Sequence, residues 1–239
     1  VNNRNTHGEA SRSTGWKESV YFFLDARFWF WTALLVLGFA YVAFVLCDRS
    51  AALQSRNGGY TEVIKLLLSA PLLYMLGVRR TLEPFDSAWH SIVCRNVLGF
   101  ALPFFVALHW YYLQAIPQIN YSLTLKDLQN MHPVGQLVFL AGTLLVAGLV
   151  VYHLMLAWRE GCLGLYAGAL AGALGILVVV SLALQERYSV HIHHYFLFGF
   201  FIPFARFRNP ASLVCQAVCA GGYVEGVSEW GMATLWYPR

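Results

Sequence analysis

The sequence has 239 residues, of which 58% are hydrophobic and only 12% charged, with a formal net charge of +4, whereas a soluble domain carries about 25% charged residues. That composition, with a mean hydropathy of +0.54, excludes an ordinary soluble fold and predicts an all-α polytopic membrane bundle of about seven transmembrane helices. The charges sit in breaks between apolar runs and form no basic stripe, which excludes a nucleic-acid face; membrane lipids and other membrane subunits are the expected partners.

Residues 1–27 read as a cytosolic tail and an interfacial helix. The first fifteen are polar and lack an apolar period, and 16–27 mix Lys17, Glu18, Asp25 and Arg27 with Tyr21, Phe22, Phe23 and Leu24, a composition suited to the membrane surface. The transmembrane domain is expected over 28–230. Its first span, 28–47, opens on an aromatic belt of Phe28, Trp29, Phe30 and Trp31, the residue types that favour the membrane interface. The second, 61–78, carries Glu62 and Lys65 near its start and Pro71 within it. The third, 92–113, holds Arg95 at one end and His109 at the other, with Pro103 as a kink between them. The loop 114–133 contains the glycosylation sequon Asn120-Tyr121-Ser122.

The fourth span, 134–158, bears His153, and the fifth, 162–184, repeats Gly164, Gly168 and Gly172 at four-residue spacing. Such a stripe makes a seam on which another helix packs closely. The sixth span is headed by the triplet His191, His193 and His194 and runs on through Phe196 to Ala205. The seventh, 211–230, has Gly222 and Gly226 at the same close-packing spacing, and 231–239 form a short tail. The five cysteines are scattered and lack CxxC spacing, so neither a disulfide framework nor a zinc knuckle is expected.

Loops alternate between the two sides of a seven-span bundle, and the side holding the N-terminal tail has the larger share of Lys and Arg. The positive-inside rule then places the N-terminus in the cytosol, or on the matrix or stroma side of an organelle. Spans six and seven run in opposite directions, so the histidine triplet should lie level with Glu225 and Glu229, with His109, Glu62 and Lys65 at the same end. If helical, His191 and His194 share a face, as Glu225 and Glu229 do. Two imidazoles and a carboxylate on facing helices suit zinc, whose bound water could act as a nucleophile with the second glutamate as base. Histidines at the head of a span also serve simply to bond loop carbonyls or face interfacial water, and Glu225 and Glu229 have Lys65 or Arg187 as alternative partners. His153 and His90 fall at the other end, as interfacial residues.

The last 49 residues carry a resemblance. His191-Ile192-His193-His194-Tyr195, followed by Pro203, Arg206, Pro210, Ser212-Leu213, Gln216, Gly222, Gly226 and Trp230-Gly231, resembles the C-terminal membrane region of fungal and oomycete LCCL-domain-containing multi-pass proteins. The likeness covers about a fifth of the chain, implies a polytopic membrane protein of eukaryotic type, and brings no activity with it; no LCCL domain is found in this sequence. A looser likeness is to the seven-span hydrolases that include alkaline ceramidases and progestin/adiponectin receptors, in which histidines on late spans hold zinc. Ser69 is the one counterpart of that group's serine, and no Asp-containing motif matches in the third span.

The leading expectation is a non-catalytic integral subunit or scaffold within a larger membrane assembly. The alternative is a zinc-dependent intramembrane hydrolase using the histidine triplet. A transporter or a haem- or pigment-binding protein stands third, with His109 the intramembrane histidine best placed for haem.

Overall fold

The computed structural model describes residues 25–46, 59–116, 131–190, 192–232 and 234–238. The expected tail and most of the interfacial helix, the sequon at Asn120, and His191 lie outside the described residues. Within them the chain is an all-α bundle of seven helices with one two-stranded ribbon. Five helices are long and apolar enough to cross a membrane: α1 (Ala26–Leu46), α2 (Thr61–Thr81), α3 (Trp89–Trp110), α4 (Pro133–Arg159) and α5 (Leu163–Leu184). They are compatible with an integral membrane protein.

The helix ends follow from local chemistry. Asp25 caps α1 by accepting from the Arg27 N–H at 3.0 Å, and Asn209 caps α7 (Pro210–Trp230) by accepting from the Ser212 N–H at 3.0 Å. His132 caps α4 through Nδ1, 3.2 Å from the Val134 nitrogen, and Pro133 opens that helix where a missing N–H costs nothing. Proline also shapes α2 and α3. Pro71 lies inside α2, which widens to π-type turns over Tyr74–Val78, and Val93–Ala101 of α3 is wide in the same way just ahead of Pro103. A ring without an N–H breaks the regular ladder, and the turn loosens to accommodate it.

The sixth expected span requires correction. Its helix, α6 (His194–Phe201), has eight residues and so measures about 12 Å, far short of a ~30 Å hydrocarbon core. Pro203 cannot extend the ladder, and the chain instead turns through 202–209, still alongside α7. His194 meets Glu225, Phe198 lies against Gly222, Ile202 is bonded to Gln216 and Phe207 to Ser212. The segment therefore follows α7 in the opposite direction as half helix and half irregular chain. Irregular backbone at membrane depth is tolerated where protein satisfies it. Here the Gln216 side-chain amide donates to the Ile202 carbonyl at 2.9 Å and the Tyr166 hydroxyl donates to the Phe204 carbonyl at 2.9 Å.

Helix α7 is the axis of the bundle. Nearly every residue from Ala217 to Glu229 is buried, against α1, α2, α3 and α6. It has the length to span, but Gln216, Glu225 and Glu229 dilute its apolar character, which suits a helix lined by protein on all sides. Lipid is as apolar as leucine, so close packing and hydrogen bonds must hold such a centre together. A Cβ on Gly221 would collide with the Phe104 backbone carbonyl, and one on Gly226 would lie 2.7 Å from both His194 Nε2 and Tyr195 Cβ. Trp31, Leu35, Phe100 and Phe104 fill the space around it, against its own Leu213 and Val224.

The hairpin α4–α5 is different. Of the apolar windows of α1, α2 and α3, 39%, 33% and 28% are buried, but only 6% of the window of α4 and 0% of that of α5. It is tied to the bundle near its ends, by His153 to Ser212 and Tyr166 to Phe204 on one side and by Trp236 to Ser181 on the other.

Candidate functional site

Two polar ends close the bundle. At the histidine end, β1 (Tyr188–Val190) pairs antiparallel with β2 (Trp236–Pro238), Ser189 opposite Tyr237. His193 follows in extended conformation, with φ −75° and ψ 146°, as the residue before α6. The helix therefore begins only at His194, and His191 lies outside the described residues. The two described histidines take different partners. His193 Nε2 lies 2.9 Å from the Tyr237 hydroxyl, its ring stacked on Tyr195. His194 Nε2 lies 3.0 Å from Glu225 Oε2.

Glu225 is fully buried, and its other oxygen, Oε1, has no hydrogen-bond partner among the described residues. An unpaired carboxylate oxygen in such surroundings is costly, so the His194 contact carries much of what stabilises this side chain. Glu229, one turn on, is also buried, and the neighbouring Ser228 hydroxyl donates to the Phe39 carbonyl at 3.1 Å. Among the described residues no group of three or more His, Cys, Asp or Glu side chains is placed to hold a metal ion. A catalytic zinc needs about three protein ligands, and His194 and Glu225 converge as two.

Glu62 and Lys65 form a separate clamp. Lys65 Nζ lies 2.7 Å from Glu62 Oε1, and Glu62 Oε2 accepts from the Met232 N–H at 2.6 Å. Lys65 also donates to the Met232 carbonyl at 3.3 Å, so it serves this clamp and the expected Lys65 pairing with Glu225 or Glu229 is not formed. The chain leaves α7 at Gly231 with φ +76°, a backbone region that favours glycine, and so brings Met232 onto Glu62. Ser69 and Tyr223 are joined hydroxyl to hydroxyl at 2.8 Å. His109 Nδ1 lies 3.0 Å from the Phe105 carbonyl and Nε2 lies 3.1 Å from the Tyr41 hydroxyl. A carbonyl only accepts, so Nδ1 carries the proton and Nε2 accepts from Tyr41.

At the arginine end, Glu83 is the hub. Its Oε2 lies 2.8 Å from Arg208 Nη2 and 3.4 Å from Arg95 Nε, and its backbone N–H and carbonyl are both bonded to the Asn96 side chain. Burial raises the Glu83 carboxyl, but the Arg208 and Ser87 hydrogen bonds outweigh it and hold the group below its ordinary value. Asp25 is held in the same way. Burial pushes it up, while hydrogen bonds from Arg27 and Tyr74 bring it down to about 2. His153 is not interfacial, as its position suggested, but buried, with Nδ1–H donating to the Leu149 carbonyl at 2.7 Å and Nε2 accepting from Ser212 at 3.1 Å. His90 is exposed.

The glycine seams divide. Gly222 and Gly226 are packed against α6, a Cβ on Gly222 falling 2.5 Å from Phe198. A Cβ added to Gly164, Gly168, Gly172 or Gly175 would meet nothing within 4 Å. Sequence reading missed the buried set in which Gln216 bonds both Thr81 and the Ile202 carbonyl. The available signal was an amide within an otherwise apolar span, opposite a proline-broken one. No family model matches this chain, and neither a curated protein nor a solved structure matches it.

Proposed function

We propose that this chain is a non-catalytic integral membrane subunit whose α4–α5 hairpin docks a transmembrane helix of a partner protein. One observation carries the reading: the four glycines of α5 line a face with no neighbour among the described residues, while the same spacing in α7 is filled by α6. Gly-xxx-Gly faces let two backbones approach closely and are a recurrent helix-pairing device in membranes. No Asp, Glu, Lys or Arg falls within α5, so the partner is an apolar helix with small residues at its own contact. The excess of Lys and Arg at the arginine end supports a cytosolic orientation for it. Polar groups inside the bundle, such as Gln216, Ser212 and Asn96, are spent on bonding backbone and on bonding one another, as expected of a scaffold.

The test is photo-crosslinking in native membranes from a probe at position 168. A discrete polypeptide adduct, lost when Gly172→Leu fills the face, supports the reading, and its mass separates a foreign helix from a second copy, which would replace the proposed partner. Adducts to lipid alone overturn it.

A further inference from the structure

Among the described residues, the arginine end holds a partly buried cation that the network leaves out. Arg206 is partly buried, its Nε is enclosed without a hydrogen-bond partner, and the side chain makes no hydrogen bond or ion pair among the described residues. Its neighbour is a second cation: Gly77 of α2 lies against Ile202 and Pro203, which brings Arg80, one turn on, beside Arg206, and burial and then Arg80 both push the Arg206 guanidinium below its ordinary range. Glu160 eases this only in part and forms no ion pair with Arg206. Glu160 lies 3.8 Å from Arg80 and is itself largely exposed. Glu83 and Asp25, further carboxylates at this end, are occupied by Arg208 and Arg95 and by Arg27.

A partly enclosed guanidinium beside another arginine calls for an anion with several acceptor oxygens, and phosphate matches the planar fork of arginine in a bidentate pair. We propose that Arg206 and Arg80 form a binding site for the phosphate headgroup of an anionic phospholipid. The surroundings favour a lipid over a free ion. Trp158 and Leu165, on either side of the α4–α5 turn, are 72% and 80% exposed and offer an apolar flank for acyl chains. Tyr166 packs edge-on against Phe204 at 5.5 Å and holds its carbonyl, fixing the irregular segment from which Arg206 projects. Basic pockets between transmembrane helices are a recurrent way of holding anionic headgroups. The site does not depend on the subunit reading, since none of the α5 glycines takes part in it.

The experiment is native mass spectrometry of the purified chain in detergent, titrated separately with dioleoyl phosphatidic acid, dioleoyl phosphatidylcholine and inorganic phosphate. Wild type is expected to retain one phosphatidic acid at concentrations where phosphatidylcholine is lost. Arg206→Gln and Arg80→Gln should each weaken that binding by about tenfold, the loss of one charge-assisted pair. Arg208→Gln, whose arginine is engaged by Glu83, should leave it unchanged. Arg80 is largely exposed, so its variant carries the test even if Arg206→Gln fails to fold. Equal retention of the two lipids, unchanged binding by the Arg80 variant, or phosphate binding alone as tightly as the lipid would each overturn the proposal.

Discussion

Glu225 and His194 meet at 3.0 Å across the contact of α6 and α7, and Gly226 permits it, because a Cβ there would occupy the space of the imidazole. The carboxylate is fully enclosed and the imidazole only partly so, so the two partners should respond unequally to removal. His194→Ala leaves a buried carboxylate alone and should cost about 3–5 kcal/mol. Glu225→Gln keeps the shape and a hydrogen bond and should cost about 1 kcal/mol. The double variant His194→Ala/Glu225→Leu should recover part of the single loss. Thermal unfolding of the purified chain in detergent checks all three; equal losses for the two single variants would contradict the pairing.

The two glycine seams make opposite forecasts. Gly221→Ala drives a methyl into the Phe104 backbone carbonyl, which cannot swing aside as a side chain does, and should cost about 1–3 kcal/mol. Gly168→Ala meets open space and replaces a poor helix former, so the isolated chain should be unchanged or gain up to about 1 kcal/mol. Side-by-side unfolding curves decide it.

Asp25 links stability to pH. Its value in the folded chain, about 2, lies below the ordinary 3.8, so the folded state favours the charged form. The contribution is therefore complete above the ordinary value and is lost as pH falls through about 2. Between pH 5 and 2, wild type should lose stability more steeply than Asp25→Asn. Parallel slopes in a denaturation series would count against this cap.

Glu62 fastens the chain beyond α7 to α2 through the Met232 N–H. Glu62→Ala should free that amide and loosen the β1–β2 ribbon, while the α1–α3 core stays protected. Hydrogen exchange read by mass spectrometry should show faster exchange over 231–238 and no change over 28–43.

Much of this was readable from residue order because hydropathy reports length and apolarity directly. The spans that became α1 to α5 needed nothing more. The sixth failed because Phe196 to Ala205 is apolar throughout, and hydropathy does not register that Pro203 stops a helix whose irregular continuation is satisfied by Gln216 from another element. The level placement of His194 with Glu225 followed from alternating spans, whereas the extended backbone of His193, which starts the helix only at His194, did not show in the residue pattern. Gly168 and Gly222 sit in indistinguishable local patterns; only a neighbour tells a filled seam from an open one, and neighbours are set by the whole bundle.

Helix α7 has a further consequence for how the molecule is made. It is the most enclosed of the seven helices and the last of them to leave the ribosome, so α1, α2 and α3 are in place before the element that fills their centre exists. Until then Phe100, Phe104 and Leu35 face a groove, and that groove is the protected place Glu225 and Glu229 need as α7 enters. Assembly is thus decided late, when one weakly apolar helix finds a waiting slot, and a substitution that spoils that slot should show itself as failed insertion during biogenesis before it shows as lower stability of the finished protein.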